Sequence, residues 1–176
     1  MRAALFSLVL LFAGQAFADQ ATAEALFSEG RRLFTDGNYA AACTKFEASN
    51  KADPAVGTQL NLAMCYEKLG KTASAWATYM QVANASGSSG RNDRAQLAQA
   101  HATALLPTLS KLTITAPAGT SIRVDGVAWS AAATGIPTPV DPGNHTIDAT
   151  APNKPAFRRV VLVPGSAASV TVAVTF

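Results

Sequence analysis

Charged residues are scarce in this chain: Asp, Glu, Lys and Arg make up 14% of its 176 residues, and the formal net charge is +3 at pH 7. The few basic residues are scattered rather than clustered on one face, which excludes the electrostatic surface of a nucleic-acid-binding protein. Low charge combined with 49% hydrophobic residues also argues against intrinsic disorder. A chain of this length allows one domain or two small ones, so a large multidomain enzyme is excluded.

Histidine and cysteine, which often carry acid–base chemistry or bind metals, are almost absent. The chain holds two of each, at His101, His145, Cys43 and Cys65. Neither histidine lies near a cysteine at ligand spacing. The sequence also has no Gly-x-Ser-x-Gly elbow and no phosphate-binding glycine loop with its lysine. We therefore expect no catalytic residue, no metal site and no cofactor, and we predict that the protein is not an enzyme.

One catalytic alternative stays open at His145, which follows a tight turn and has Asp141 and Asp148 near it in sequence. A histidine beside a carboxylate can act as a general acid or base, so a hydrolase built on His145 and Asp148 is a competing hypothesis. The simpler interpretation is that His145 begins a strand and hydrogen-bonds to a loop. For His101 we expect an interhelix or surface role.

The N-terminal segment has the pattern of a secretory signal peptide. Arg2 gives it a positive start, residues 5–12 form an apolar run, and Ala16-Phe17-Ala18 places small residues before the expected cut. A membrane anchor, the main alternative, needs about 20 apolar residues, whereas Gly14 interrupts this run early; a buried helix is the third interpretation. We expect residues 1–18 to be removed and the mature chain, without a transmembrane segment, to reach the periplasm or the cell surface.

Export would place Cys43 and Cys65 in an oxidising compartment, where thiols form disulfides. The two cysteines permit one bridge, worth about 3 kcal/mol on a chain-entropy estimate for a loop of this size. The alternative is a pair of buried thiols that pack as small hydrophobic side chains. Cys43 and Cys65 are therefore a candidate disulfide.

The composition changes sharply near Ser110, which indicates two parts of different secondary structure. Residues 19–111 are rich in Ala, Leu, Gln, Glu and Lys at helical spacing, whereas residues 112–176 hold most of the prolines and alternate Val with Thr. Helices followed by strands predict an α+β protein. We expect about five helices and then a small antiparallel β-sandwich of about six short strands.

The helical part repeats itself at a period of about 33 residues. In each unit, small residues let two helices approach and large residues fill the space between them. These residues are Gly30, Leu33, Ala42, Phe46, Ala63, Tyr66, Ala75 and Tyr79. The pattern over residues 23–87 resembles two tetratricopeptide repeats, which are helix-turn-helix units of about 34 residues. The resemblance implies that a last helix, at about residues 92–106, caps the repeats, and that Cys43 and Cys65 face each other between stacked units.

In that family, the first helix of each repeat lines a concave groove. The resemblance implies that this groove binds an extended peptide or a helix of a partner protein. The candidate groove residues are Glu24, Phe27, Arg31 and Thr35 in the first repeat and Asn61, Met64 and Lys68 in the second. The alternative is that these are solvated helix positions without a ligand.

Turn signals divide the second part into short segments of alternating apolar and polar residues. The turn signals are Val124-Asp125-Gly126, Thr138-Pro139 and Pro142-Gly143-Asn144-His145. Their spacing over residues 112–176 resembles the PEGA domain of bacterial envelope proteins. Helical repeats followed by such a domain are similar to a family of secreted bacterial proteins. The resemblance implies a non-enzymatic protein-interaction or scaffold module of the cell envelope, whose partner is an envelope protein or peptide. Cell-wall or glycan binding through the β-domain is the alternative function.

Overall fold

The computed structural model describes the backbone of residues 6–176 and the side chains of residues 19–176. The predicted signal segment, residues 1–18, lies outside the part described in full, so its removal stays a prediction. Within the described residues, no helix is both long and apolar enough to cross a membrane. In this part of the chain five α-helices precede seven β-strands, so the protein is α+β, as its composition predicts.

The described chain divides into two compact units, one of residues up to 69 with 77–101, the other of residues 70–76 with 102–176. The helices are α1 (Phe6–Thr35), α2 (Tyr39–Ala52), α3 (Val56–Lys68), α4 (Thr72–Ser88) and α5 (Asn92–Leu105), followed by a 3-10 turn at Leu106–Thr108. The strands are β1 (Lys111–Thr115), β2 (Ser121–Val124), β3 (Val127–Trp129), β4 (Thr138–Pro139), β5 (Gly143–Thr150), β6 (Phe157–Val163) and β7 (Ser169–Ala173).

Glycine turns follow the first and third helices, where the sequence predicts them. Gly37 and Gly70 have φ angles of 76° and 70°, in the left-handed region that favours glycine. Asn38 then caps α2, because its side-chain oxygen accepts a backbone N–H of the first turn at 3.4 Å. Farther along the chain, α4 continues through Gly87 and ends at Ser88. The Ser88 hydroxyl donates a hydrogen bond to a carbonyl oxygen of the preceding turn at 2.9 Å, so the polar side chain has a partner within the helix.

A small apolar core and one disulfide hold the first unit together. Phe46 is fully buried beside Cys43 and Cys65, which form the predicted bridge between α2 and α3, with their Cα atoms 5.6 Å apart. Gly30 of α1 lies directly against the Phe46 ring, so closely that a Cβ at this position would be only 2.8 Å from two ring atoms. A residue without a side chain therefore lets α1 and α2 pack this closely.

The second unit contains a three-stranded sheet in the order β4-β1-β7 and a four-stranded sheet in the order β3-β2-β5-β6. All neighbouring strands are antiparallel except β1 and β7, which pair in parallel from Lys111 with Ser169 to Thr115 with Ala173. Both sheets contribute to one buried cluster, as in the predicted sandwich, but the parallel pair is not predicted. The buried residues are Leu112, Ile114, Ile122, Val124, Ile147, Ala149, Val172 and Val174.

The β2–β3 hairpin turns on two residues, Asp125 and Gly126, with φ angles of 51° and 79°. Two successive left-handed residues are what a type I′ turn requires, which explains the Asp-Gly pair. The turn is also fixed to β5, since the Thr146 N–H donates to the Asp125 carboxylate at 2.8 Å and the Asp125 N–H donates to the Thr146 carbonyl at 2.8 Å. This arrangement places the Asp125 side chain beside β5.

Candidate functional site

A cavity of about 250 Å³ opens between α1, the end of α2 and the start of α3. Two predicted groove residues of α1, Glu24 and Phe27, line it, and α3 contributes Gly57 and Thr58. Asp53, which follows α2, adds a second carboxylate. No ion pair within the described part of the chain involves either carboxylate. We call this site the acidic cavity.

Contacts between α1 and α2 fix the wall of the acidic cavity. The buried Ser49 hydroxyl donates to the Ala23 carbonyl at 2.8 Å. The ring of Phe27 packs against the ring of Phe46, with centroids 5.8 Å apart. Because Phe27 is only half-buried, its ring both supports the core and contributes apolar surface to the cavity.

A second cavity, of about 510 Å³, lies between the start of α3, the end of α4 and the start of α5. Arg91 and Arg94 line it, and we call it the arginine cavity. Ala55 and Gly57 line both cavities, so the two adjoin. Among the residues that the structure describes, neither guanidinium group has a hydrogen-bond or ion-pair partner. The first unit thus carries two neighbouring concave sites of opposite charge.

The turn between α4 and α5 positions the two arginines. Gly90 has a φ angle of 74°, and the Arg91 N–H donates to the Ser86 carbonyl at 2.9 Å, which closes the end of α4. Arg94 follows three residues later, so both side chains lie on one side of the helix start. Neither arginine is among the predicted groove residues, because α5 is expected only as a cap. The Arg-x-x-Arg spacing is the signal in the sequence that points to them.

The other predicted groove residues are not among those that line the two cavities. Asn61 donates to the Gly57 carbonyl at 2.9 Å, and the Thr35 hydroxyl donates to the Arg31 carbonyl at 3.0 Å, so both side chains bond to their own helices. Met64 is 37% exposed on α3. The residues outside the cavities are Arg31, Thr35, Asn61, Met64 and Lys68.

A polar cluster joins α3, α4 and α5. The Tyr79 hydroxyl donates to a Glu67 carboxylate oxygen at 2.8 Å, and His101 Nδ1 lies 3.2 Å from the same oxygen. The rings of Tyr79 and His101 stack, with centroids 4.8 Å apart. Burial, together with the hydrogen bond to Glu67, raises the pKa of Tyr79 above its ordinary value, so the hydroxyl remains a donor. His101 therefore has an interhelix role.

His145 makes hydrogen bonds through both ring nitrogens. Nδ1 lies 2.7 Å from a carboxylate oxygen of Asp125, and Nε2 lies 2.7 Å from the Asp141 carbonyl oxygen. Because both partners are acceptors, both nitrogens donate, which requires the charged imidazolium. Burial alone would lower the pKa of His145, but the bonds to Asp141 and Asp125 outweigh it and raise the pKa. The pKa of Asp125 is lowered, because its bonds to Thr146 and His145 outweigh the effect of burial.

Asp148, the other member of the competing hydrolase hypothesis, does not contact His145. The two residues are three apart on β5, so their side chains point to opposite faces of the sheet. A carboxylate oxygen of Asp148 instead lies 3.3 Å from Nε of Arg158 on β6. The structure therefore does not form the predicted His145–Asp148 pair.

Asp141 hydrogen-bonds to His145 through its backbone carbonyl, and the charge of its carboxylate also helps to raise the pKa of His145. Its carboxylate accepts the Ser74 N–H at 2.9 Å and the Ser74 hydroxyl at 2.6 Å. Ser74 lies in the first turn of α4, where unsatisfied N–H groups and the helix dipole favour a carboxylate. The Asp141 side chain is thus a helix cap, which the sequence pattern does not predict.

Comparison of the chain with protein-family models, with curated proteins and with solved structures finds no match. The likeness to tetratricopeptide repeats and to the PEGA domain stays a prediction that depends on the motifs quoted above.

In the described part of the chain, no group of three or more His, Cys, Asp or Glu side chains is placed to hold a metal ion. Trp129 packs partly against the sandwich core. The acidic and arginine cavities adjoin, and concave sites of this kind are where proteins bind ligands, so we take them as the candidate site.

Proposed function

We propose that the protein is a non-enzymatic interaction or scaffold module of the bacterial cell envelope, whose helical repeats bind a peptide or a helix of a partner protein. In this proposal residues 19–111 form tetratricopeptide-like repeats and residues 112–176 a PEGA-like domain. The observation that carries the proposal is the acidic cavity, since the predicted groove residues Glu24 and Phe27 line a concave site shared with α3. Concave sites with apolar walls and a few polar groups are where proteins bind ligands.

The disulfide supports export. Cys43 and Cys65 form a bridge, and such bridges persist in oxidising compartments but are rare in the cytosol. In the proposal, residues 1–18 act as a signal peptide and the chain functions in the periplasm or at the cell surface.

The surroundings of His145 support a role without catalysis. A general acid or base must exchange a proton with its substrate, whereas both nitrogens of His145 are engaged with Asp125 and Asp141. Asp148 pairs with Arg158 on the other face of the sheet. These bonds give His145 a structural role between the β2–β3 turn and the loop before β5.

Capture of a partner from envelope extracts tests the proposal. The purified full chain is compared with Glu24→Lys, which reverses a charge in the acidic cavity. The matched control is Glu47→Lys, the same change at an exposed position of α2, where the Tyr66 hydroxyl is the hydrogen-bond partner. We expect mass spectrometry to identify a protein that the wild type and the control retain and that Glu24→Lys loses. Circular dichroism verifies that the variants keep their helices.

A partner that all three proteins retain equally would contradict binding at this cavity. If several extraction conditions yield no protein partner, the interaction function is wrong. Cosedimentation of the full chain with peptidoglycan, in the absence of a protein partner, would favour the alternative of glycan binding through the β-region.

A further inference from the structure

The arginine cavity narrows the chemistry of the partner. Arg91 and Arg94 line about 510 Å³ of concave space, and their guanidinium groups have no partner among the described residues. Each guanidinium presents five N–H donors in a planar fork, which matches the oxygen pairs of a carboxylate or a phosphate. An anionic group is therefore the chemistry that fits this cavity.

The adjoining acidic cavity distinguishes the sources of that anion. Glu24 and Asp53 line it, and Ala55 and Gly57 belong to both cavities. A ligand with only phosphates, such as a surface of anionic lipids, would be attracted by the arginines and repelled by these carboxylates. A peptide can place side chains of opposite sign in the two cavities, so its charge is complementary to both.

We propose that the two adjoining cavities bind one extended peptide segment of mixed charge, with an acidic side chain in the arginine cavity and a basic side chain in the acidic cavity. The proposal rests on the peptide-binding function proposed above and specifies its ligand class. Phe27 supplies an apolar surface for the aliphatic stem of the basic side chain. Because the two ends differ in sign, the charges also set the direction in which the peptide lies.

Selection from a random peptide library displayed on phage, against the immobilised full chain, tests the proposal. We expect the wild type to enrich peptides that contain both a basic and an acidic residue. The double variant Arg91→Glu/Arg94→Glu should lose the preference for acidic residues and keep the preference for basic ones. Glu24→Lys/Asp53→Lys should do the reverse.

Affinity for one selected peptide gives the size of the effect. Its Kd, measured by fluorescence polarisation, should rise about tenfold or more in the double arginine variant, as expected for loss of a charge-assisted contact. Added salt should weaken binding to the wild type. Lys154→Glu/Arg159→Glu is the matched control, since it makes the same charge change at exposed positions of the second unit, and it should leave the selection and the Kd unchanged. Circular dichroism verifies the fold of each variant.

The outcomes separate this inference from the function on which it rests. If the wild type enriches no peptide, both are wrong. If enriched peptides keep their charge preference and Kd in the double arginine variant, peptide binding stands and the mixed-charge inference is wrong. Enrichment of acidic residues without basic ones also overturns it. Binding to inorganic phosphate or anionic vesicles, with no peptide enriched, would identify a phosphate ligand instead.

Discussion

Reduction of the disulfide between Cys43 and Cys65 should strongly destabilise the helical unit. The two residues are 22 positions apart in sequence, so the bridge closes a loop of that length in the unfolded chain. The chain-entropy relation gives about 3.4 kcal/mol for such a loop at 25 °C. For a unit of this size, each kcal/mol changes the melting temperature by about 4 to 8 °C, so the expected decrease is roughly 14 to 27 °C.

The native environment of the sulfurs makes reduction a clean test of the cross-link. Both cysteines are buried, so reduced thiols would stay packed and would leave no large cavity. The Tyr39 carbonyl oxygen lies 3.1 Å from Cys65 Sγ, where it can accept a hydrogen bond from a reduced thiol. Cys43→Ala/Cys65→Ala should cost about 1 kcal/mol more than reduction, because it also removes the packing of both sulfurs.

Thermal unfolding followed by far-ultraviolet circular dichroism measures the effect, since the helical signal comes from α1–α5. The oxidised chain is compared with the chain in a phosphine reductant, and alkylation with mass spectrometry reports the state of the thiols. The cysteine-free variant is the control, because the reductant should leave its melting temperature unchanged.

A decrease of only a few degrees on complete reduction would refute the reasoning. It would mean that the bridge does not constrain the unfolded chain to the extent that its loop length requires. Alkylation of both cysteines in the untreated protein would refute the bridge itself.

Three further perturbations act at single contacts. The second unit should be most stable between about pH 4 and pH 6.5. The pKa of His145 is higher in the folded than in the unfolded chain, so His145 stabilises the fold at low pH, and this stability is lost as pH rises through the folded pKa. The pKa of Asp125 is lower in the folded chain, so the stability that Asp125 contributes is lost as pH falls through its folded pKa. His145→Gln should remove the alkaline loss in urea titrations at several pH values. Gly30→Ala should destabilise the first unit by about 1 to 3 kcal/mol, because the new methyl group would collide with the buried Phe46 ring. Asp141→Ala should cost about 0.5 to 2 kcal/mol in chemical unfolding, because it removes the cap of α4.

Each of these expectations has an outcome that would contradict it. Stability of the second unit that rises steadily from pH 5 to pH 9 would exclude a charged His145 in the folded state. A Gly30→Ala variant more stable than the wild type would show that α1 moves away from Phe46 at little cost and gains from the better helix propensity of alanine. If Asp141→Ala and Asp141→Asn unfold like the wild type, the carboxylate does not stabilise α4.

Local signals were sufficient to predict most elements of the fold. Gly37 and Gly70 mark helix ends because they supply left-handed turns. The Asp125-Gly126 pair marks the β2–β3 hairpin for the same reason. Export predicts a disulfide between Cys43 and Cys65, the resemblance to tetratricopeptide repeats implies that the two residues face each other, and the structure has the bridge. In each case the deciding residues lie close together or recur at a fixed period.

Contacts between distant segments could not be predicted in this way. Asp141 caps α4 through Ser74, which lies 67 residues away in sequence. No pattern in the neighbouring residues predicts this contact. His145 bonds to Asp125, 20 residues away, and not to its near neighbour Asp148, because alternation along β5 separates the side chains of residues three apart. The folding of the whole chain, rather than spacing along it, selects these partners.

The candidate site divides along the same line. Glu24 and Phe27 are among the groove residues that the resemblance to tetratricopeptide repeats implies, and both line the acidic cavity. Arg91 and Arg94 lie beyond the predicted second repeat, and only the packing of α3, α4 and α5 places them around a cavity. A repeat pattern predicts which residues lie on the surface of each repeat. It does not predict a cavity that forms only when α5 packs beside α3 and α4.

The parallel pairing of β1 with β7 affects the order in which the sandwich can form. The first and the last strand of the β-region are neighbours, with some 60 residues between Lys111 and Ser169. Such non-local pairing makes folding slow, because the chain loses the entropy of closing a long loop before the contacts between β1 and β7 can stabilise it. A chain truncated before β7 would expose one edge of β1 and the apolar cluster beneath it, so an interrupted chain should be recognised by proteases and chaperones rather than accumulate as a folded fragment.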